Sequence, residues 1–325
     1  MKRIVHALSL LCSAAVLSTA AASPASTVYP DKPVSIVVPF PAGGATDVIA
    51  RLVGEKLSQQ WKQPVVMRNQ PGAGTTVAAE QMARTAADGY TLYMTTASHT
   101  ISASLYSKLK YDPVKDFDPI SLSATIPLVL VTTPALPVTD LASLIEYGKT
   151  APQSLTMASS GNGTPGHLTG ALFTARTGVK LTHVPYRGDT PMITDLLGGQ
   201  VQMAFVTLSA ALPHIQSGGL RAIALAHPSR VQAIKNVPTT AEAGLPDFHF
   251  ATWFGLFSPA GLDEDVKQKI YKAVHQAVAD PDLTRKLQDM GAEVNNSTPE
   301  AFQAFITTEL ANWRKGVELS GARVD

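Results

Sequence analysis

The residues best suited to chemistry in this chain lie in loops that run from a short apolar stretch into a helical pattern. Ser159-Ser160-Gly161-Asn162-Gly163-Thr164-Pro165-Gly166-His167 is one such loop, and Phe40-Pro41-Ala42-Gly43-Gly44-Ala45-Thr46-Asp47 is another. Both combine small residues and hydroxyls with the unsatisfied N–H groups and partial positive charge of a helix start, which suit a carboxylate or phosphate. One such terminus contributes about 0.3–1 kcal/mol, and up to about 2 kcal/mol when partly buried. A micromolar ligand needs about 8 kcal/mol, so several termini with hydrogen bonds and apolar contact reach it without a salt bridge. Thr96 and Ser98 occupy a third polar loop, and Tyr186 with Arg187 closes a further strand. Asp47 either caps the first helix or faces a ligand donor. His167 either touches ligand or satisfies its own helix start.

Other chemistries find less support. Gly161, Gly163 and Gly166 spell G-x-G-x-x-G between a strand and a helix. A dinucleotide site would then need an acidic residue about 20 positions on, at the end of the next strand. That strand ends at Val184-Pro185-Tyr186-Arg187, and the first carboxylate, Asp189, comes only after Gly188. No G-x-S-x-G elbow occurs, and the eight histidines show neither H-E-x-x-H nor H-x₃-H spacing. No nucleophile–base pair, cofactor or metal site is therefore expected.

The elements that position these loops alternate β-rich runs with helices, an α/β pattern that predicts largely parallel sheets. Strands are expected at Val34 to Val38, Val65 to Met67 and Thr91 to Thr95. A second series is expected at Pro127 to Val131, Leu155 to Ala158, Leu181 to Val184, Val201 to Val206 and Leu220 to Leu225. The segment Tyr111 to Phe117 reads as irregular, Ala251 to Phe257 as an apolar run, and Asp263 to Ala279 and Pro299 to Leu319 as packing helices. Thr46 or Asp47 is the expected cap of the first helix. In open α/β sheets ligands bind beyond the carboxyl ends of the strands, so two series predict a cleft between two lobes.

The N-terminus carries Lys2 and Arg3, an apolar stretch from Ile4 to Leu17, and an A-x-A pattern at Ala20 and Ala22. This is the form of a signal peptide over residues 1–22, too short for a membrane span, with the mature chain beginning near Ser23. Its removal takes away the only cysteine and leaves 24 Lys+Arg against 25 Asp+Glu. A near-neutral chain without basic runs is a poor partner for nucleic acid.

Several of these segments resemble the Bug, or TctC, family of extracytoplasmic binding proteins of tripartite tricarboxylate transporters. The resemblance lies in Tyr29-Pro30-Asp31-Lys32-Pro33 with Ile36 to Asp47, in Asn69-Gln70-Pro71-Gly72-Ala73-Gly74 and in Asp88-Gly89-Tyr90-Thr91-Leu92. It continues in order through Val184 to Gly188, Asp195-Leu196-Leu197-Gly198-Gly199-Gln200-Val201 and Ala241-Glu242-Ala243-Gly244. It implies a two-lobed Venus-flytrap fold, with residues 23–126 and 253–325 forming one lobe and 127–252 the other. It also implies that Phe40 to Asp47 and Ser159 to His167 approach a ligand carboxylate from opposite lobes. The protein is then expected in the periplasm as a monomer, delivering a small carboxylate to integral-membrane subunits; the same cleft would serve a sensor facing a membrane kinase. Two departures stand out. Val206 and Thr207 lie where many members have Asp, and Arg187 where Lys is common. Without that carboxylate to pair with an ammonium group, a non-amino mono- or dicarboxylate or an aromatic acid is favoured.

Overall fold

A computed structural model describes residues 29–324. The proposed signal peptide lies outside them. Three strand–helix units open the fold: β1 (Val34–Val38) and α1 (Ala45–Trp61), β2 (Val65–Asn69) and α2 (Thr76–Met82), β3 (Thr91–Thr96) and α3 (Ser98–Leu105). The long β4 (Phe117–Thr132) leads through α4 (Leu141–Thr150) into a second series. That series runs β5 (Leu155–Ser159), α5 (Pro165–Thr177), β6 (Leu181–Pro185), α6 (Asp189–Leu197), β7 (Met203–Thr207), α7 (Leu208–Gln216) and β8 (Arg221–Ala226). The chain returns along β9 (Ala251–Pro259). It ends with α8 (Glu264–Val278), α9 (Pro281–Asp289), the short β10 (Glu293–Val294) and α10 (Pro299–Ser320).

The strands form one curled sheet in the order β2-β1-β3-β9-β4-β7-β5-β6, with β8 and β10 also on β4. Its flanks are parallel, as the alternation of strands and helices predicts: β1 pairs β2 and β3, and β5 pairs β6 and β7. The centre is antiparallel. There β9 pairs β3 and β4, and β4 also pairs β7, β8 and β10. The prediction of largely parallel sheets therefore holds for the flanks alone. The reason is topological: β4 carries the chain from the first series to the second, β9 carries it back, and the two lie side by side.

Only the last part of β4 was expected. Phe117 to Ile126 also lies in the strand, despite Pro119 and the serines at 121 and 123. Register shifts between Pro119 and Ser121 and between Leu122 and Ala124 absorb the irregularity. A bulge tolerates a proline that cannot donate to the ladder. From Phe117 to Pro127 the strand pairs β9, and from Leu128 to Thr132 it pairs β7 and β8. The partner changes at Pro127/Leu128.

Three apolar clusters fill the fold. One gathers Tyr93, Phe117, Trp253, Phe257 and Phe302 on the first half of the sheet. A second gathers Phe173, Phe205 and Phe248 on the other half. The third runs through both, from Ile36 and Ile49 by way of Phe254 to Val129 and Leu208. α10 packs on α3 of the first series and on α5 of the second, and so straps the halves together.

Candidate ligand-binding cleft

Helix capping separates the helices into two groups. The N-termini of α4, α8, α9 and α10 are capped by the side chains of Asp140, Asp263, Asp280 and Thr298. Those of α1, α2, α3, α5, α6 and α7 have no side-chain cap. Thr164 and Thr207 stand at N-cap positions and could serve, yet the Thr164 hydroxyl donates instead to the Gly161 carbonyl at 2.7 Å. Loss of a cap typically costs about 1 kcal/mol. Residues at the starts of α1, α5, α6 and α7 line one small cavity.

The cavity has a volume of about 30 Å³. Phe40, Pro41, Gly44, Ala45, Thr46 and Thr96 line it from the first series. Ser160, Thr164, Pro165, Asp189, Thr190 and Thr207 line it from the second, and Thr252 and Phe254 from β9. Neither Lys nor Arg reaches the wall. The two halves touch around it: a Cβ placed on Gly188 would meet Pro41 Cδ at 2.7 Å, and one on Gly74 would lie 2.0 Å from the Asn162 carbonyl oxygen. The cleft is closed.

Of the residues singled out from sequence, Phe40, Gly44, Ala45, Thr46, Thr96, Ser160, Thr164 and Thr207 are on this wall. The others surround it. Ala42 and Gly43 are exposed at the loop tip. α1 begins at Ala45 with Gly44 as N-cap, so neither Thr46 nor Asp47 caps it as expected. The buried Asp47 carboxylate turns back instead, accepting from the Gly43 N–H at 2.9 Å and from Asn69 Nδ2 at 2.9 Å while pairing with Arg51 at 2.8 Å. Burial alone would raise its pKa, but these bonds outweigh burial and lower it. Ser98 is fully buried behind Thr96.

The second loop has its own support beneath it. The Gly163 N–H donates to His167 Nδ1 at 3.2 Å, in the same i to i+4 relation as Gly43 to Asp47. His167 stacks on His183 with ring centroids 4.2 Å apart, and His183 Nε2 lies 2.6 Å from Ser159 Oγ. Desolvation lowers both imidazoles to about 4, with the neighbouring ring acting further on His183. The pair is neutral near pH 7. The Gly161 carbonyl accepts from Ser159 and Thr164, while Asn162 and Gly163 lean on Gly74, Leu105 and Tyr106. Tyr186 Oη donates to Asp195 at 2.7 Å, Arg187 is exposed, and Val206 is buried in the core.

Six wall residues were not anticipated: Pro41, Pro165, Asp189, Thr190, Thr252 and Phe254. Asp189 matters most. It is the first residue of α6, and its carboxylate faces the start of α1 across the cleft, near the Ala45 amide and the Ser160 hydroxyl, which favour its charged form. Desolvation raises its pKa against those two groups. Asp189 places a carboxylate on the cleft wall at a position other than 206 and 207, where many members of the family carry Asp. The signal is present in sequence as a third strand–glycine–helix loop, Tyr186-Arg187-Gly188-Asp189, whose Tyr186 and Arg187 are candidate ligand residues and whose Asp189 the dinucleotide pattern alone brings forward.

Comparison with known proteins follows the same outline. The profile of TctC, the tripartite tricarboxylate transporter family receptor, matches residues 49–321. The chain is 35% identical to Protein BugT of Bordetella pertussis over 306 residues, 94% of each chain. It resembles the structure of a Rhodopseudomonas palustris protein with adipate at a TM-score of 0.87 and 35% identity, over 91% of this chain and 100% of that one. MatC from Rhodopseudomonas palustris with bound malate gives a TM-score of 0.85 and 33% identity, over 89% and 100%. The chain thus belongs to the Bug/TctC family, whose members are periplasmic solute-binding proteins and not enzymes.

Proposed function

We propose that this protein captures a small carboxylate in the periplasm and delivers it to the integral-membrane subunits of a tripartite tricarboxylate-type transporter. The observation that carries this reading is the convergence of uncapped helix N-termini on one cavity whose wall holds no cation. Amides and hydroxyls of Gly44, Ala45, Thr46 and Ser160 then hold the ligand carboxylate. Oriented backbone donors in a closed site do this without the desolvation cost of a lysine or arginine. The adipate and malate held by the two Rhodopseudomonas proteins support the ligand class. Because Asp189 supplies an acidic group to the cleft, the preference for a non-amino acid drawn from residues 206 and 207 is not carried forward.

In this reading residues 23–126 and 253–325 form one lobe and 127–252 the other, hinged where β4 changes partner, and cleavage near Ala22 releases the mature chain. Closure around ligand is a hinge motion of the two lobes. The test is a thermal-shift screen of the mature protein against carboxylic acids, followed by calorimetric titration. A ligand at 100 times its Kd stabilises by about 2.7 kcal/mol, which such a screen detects. A panel in which no carboxylate stabilises the protein, or one in which a stabilising ligand is turned over, removes the proposal.

A further inference from the structure

Asp189 is the one ionisable residue on the cavity wall among the described residues. It faces the start of α1 from the second half of the molecule, where the Ala45 amide, with the Ser160 hydroxyl of its own half, favours its charged form. A Cβ built on Gly44 would lie 3.8 Å from its Oδ2. The side chain therefore sits among the same amides that suit a ligand anion. With a cavity of only about 30 Å³, any group that enters lies next to it. No Lys, Arg or His shares the wall, so a second negative charge there has no cation to pair with.

We infer that Asp189 sets the charge class of the ligand: the cleft takes a monoanionic carboxylate that turns a hydrogen-bond donor, a hydroxyl, amide or ammonium, towards Asp189, and it refuses a second ionised carboxylate. This rests on the carboxylate reading above. One carboxylate of the ligand finds helix termini to neutralise it. A second must share this small cavity with the partly buried Asp189, and like charges so close cannot both stay ionised without a penalty. A donor in the same place completes the hydrogen bonding of Asp189. Burial holds the Asp189 pKa high, as expected of a carboxyl without a cation, and a ligand donor would relieve that cost.

The experiment compares matched pairs in which one carboxylate is replaced by a carboxamide of the same shape: malonate and malonamate, succinate and succinamate, through to adipate and adipamate. Each is titrated calorimetrically at pH 8 against the wild-type mature protein and against Asp189→Asn. The wild type should bind the monoamide about tenfold or more tightly than the dianion. In Asp189→Asn that ratio should fall to about threefold or less, through a gain for the dianion. Asp189→Ser provides the same reading should the asparagine variant fold poorly. A dianion bound as tightly as its amide by the wild type, or a ratio unchanged in the variants, overturns the role of Asp189 while leaving the carboxylate reading intact. If no member of any pair, and no hydroxy or amino monocarboxylate, binds the wild type, both fall together.

Discussion

The two loops that meet at the cleft, Phe40 to Asp47 and Ser159 to His167, solve one problem with opposite chemistry. Each must hold a glycine-bearing turn rigid at a helix start without using the helix's own N–H groups, which stay free for a ligand. Each does so by letting a residue inside the first turn of the helix accept from a glycine N–H four positions back: Asp47 from Gly43, and His167 from Gly163. The first brace is ionic and is anchored by Arg51 and Asn69. The second is neutral and rests on the stacked imidazole of His183. Rigidity at a binding loop thus needs an acceptor in the right place, and charge is optional. What differs is the condition under which each brace fails.

The largest effect should come from removing the ionic brace. Asp47→Ala leaves the Gly43 N–H and one Asn69 hydrogen without their acceptor and strips Arg51 of its partner. We expect a loss of about 3 kcal/mol in urea denaturation, since bonds to a buried charge are the strong ones. A cost below about 1 kcal/mol would show that the loop is held by its prolines instead.

Acid separates the braces next. The imidazoles of His167 and His183 are held at about 4, below the usual value near 6.5. Between those values the unfolded chain binds more protons, so stability falls as pH drops from about 6.5 towards 4. Asp47, with its lowered pKa, keeps its contribution until pH falls below the usual carboxylate value of 3.8. The second loop should therefore loosen first. His99, fully buried against Pro113 and also held at about 4, titrates in the same window. Subtracting the denaturation profile of His183→Phe isolates the His183 share, which should be roughly 2 kcal/mol.

A smaller effect tests how the loops meet. The Gly74 Cβ position lies 2.0 Å from the Asn162 carbonyl and its φ is +60°, so Gly74→Ala should hinder closure. Affinity for the screened ligand should drop about tenfold, equivalent to about 1.4 kcal/mol. Small-angle scattering should then show less compaction with ligand than the wild type shows. Arg187→Ala should do least. The side chain is exposed and off the cavity wall, so stability and affinity should stay within about 0.5 kcal/mol. Abolished binding in that variant would mean that a salt bridge, and not helix termini, holds the ligand.

Much of this was legible in the chain itself, because strand–loop–helix units announce themselves through periodicity, glycine and hydroxyl residues. The flank strands and both loops were found that way. The facing of individual residues was not. Ser159 and Thr164 share one loop, yet the first is turned under it and the second lines the wall, a choice made by His183 and by the carbonyl of Gly161. Thr252 and Phe254 lie in an apolar run that reads as core, and only the return of β9 beside β4 brings them to the cavity. Asp189 opens α6 in a strand–glycine–helix loop of the same kind, but only the approach of the two halves sets it against the start of α1. Pro119 concealed the first part of β4 because a bulge is set by the partner strand.

On the proposed two-lobe reading, that strand decides how the molecule would bend. β4 is continuous through Pro127 and Leu128, hydrogen-bonded to β9 on one side of that point and to β7 and β8 on the other. A hinge made of paired strand opens by twisting, with its ladder intact, and not by the local melting that a loop hinge allows. Its amides should accordingly be among the slowest to exchange with deuterated solvent, in the open and the closed molecule alike. The flexible part of this protein would then be invisible to a method that equates motion with exchange.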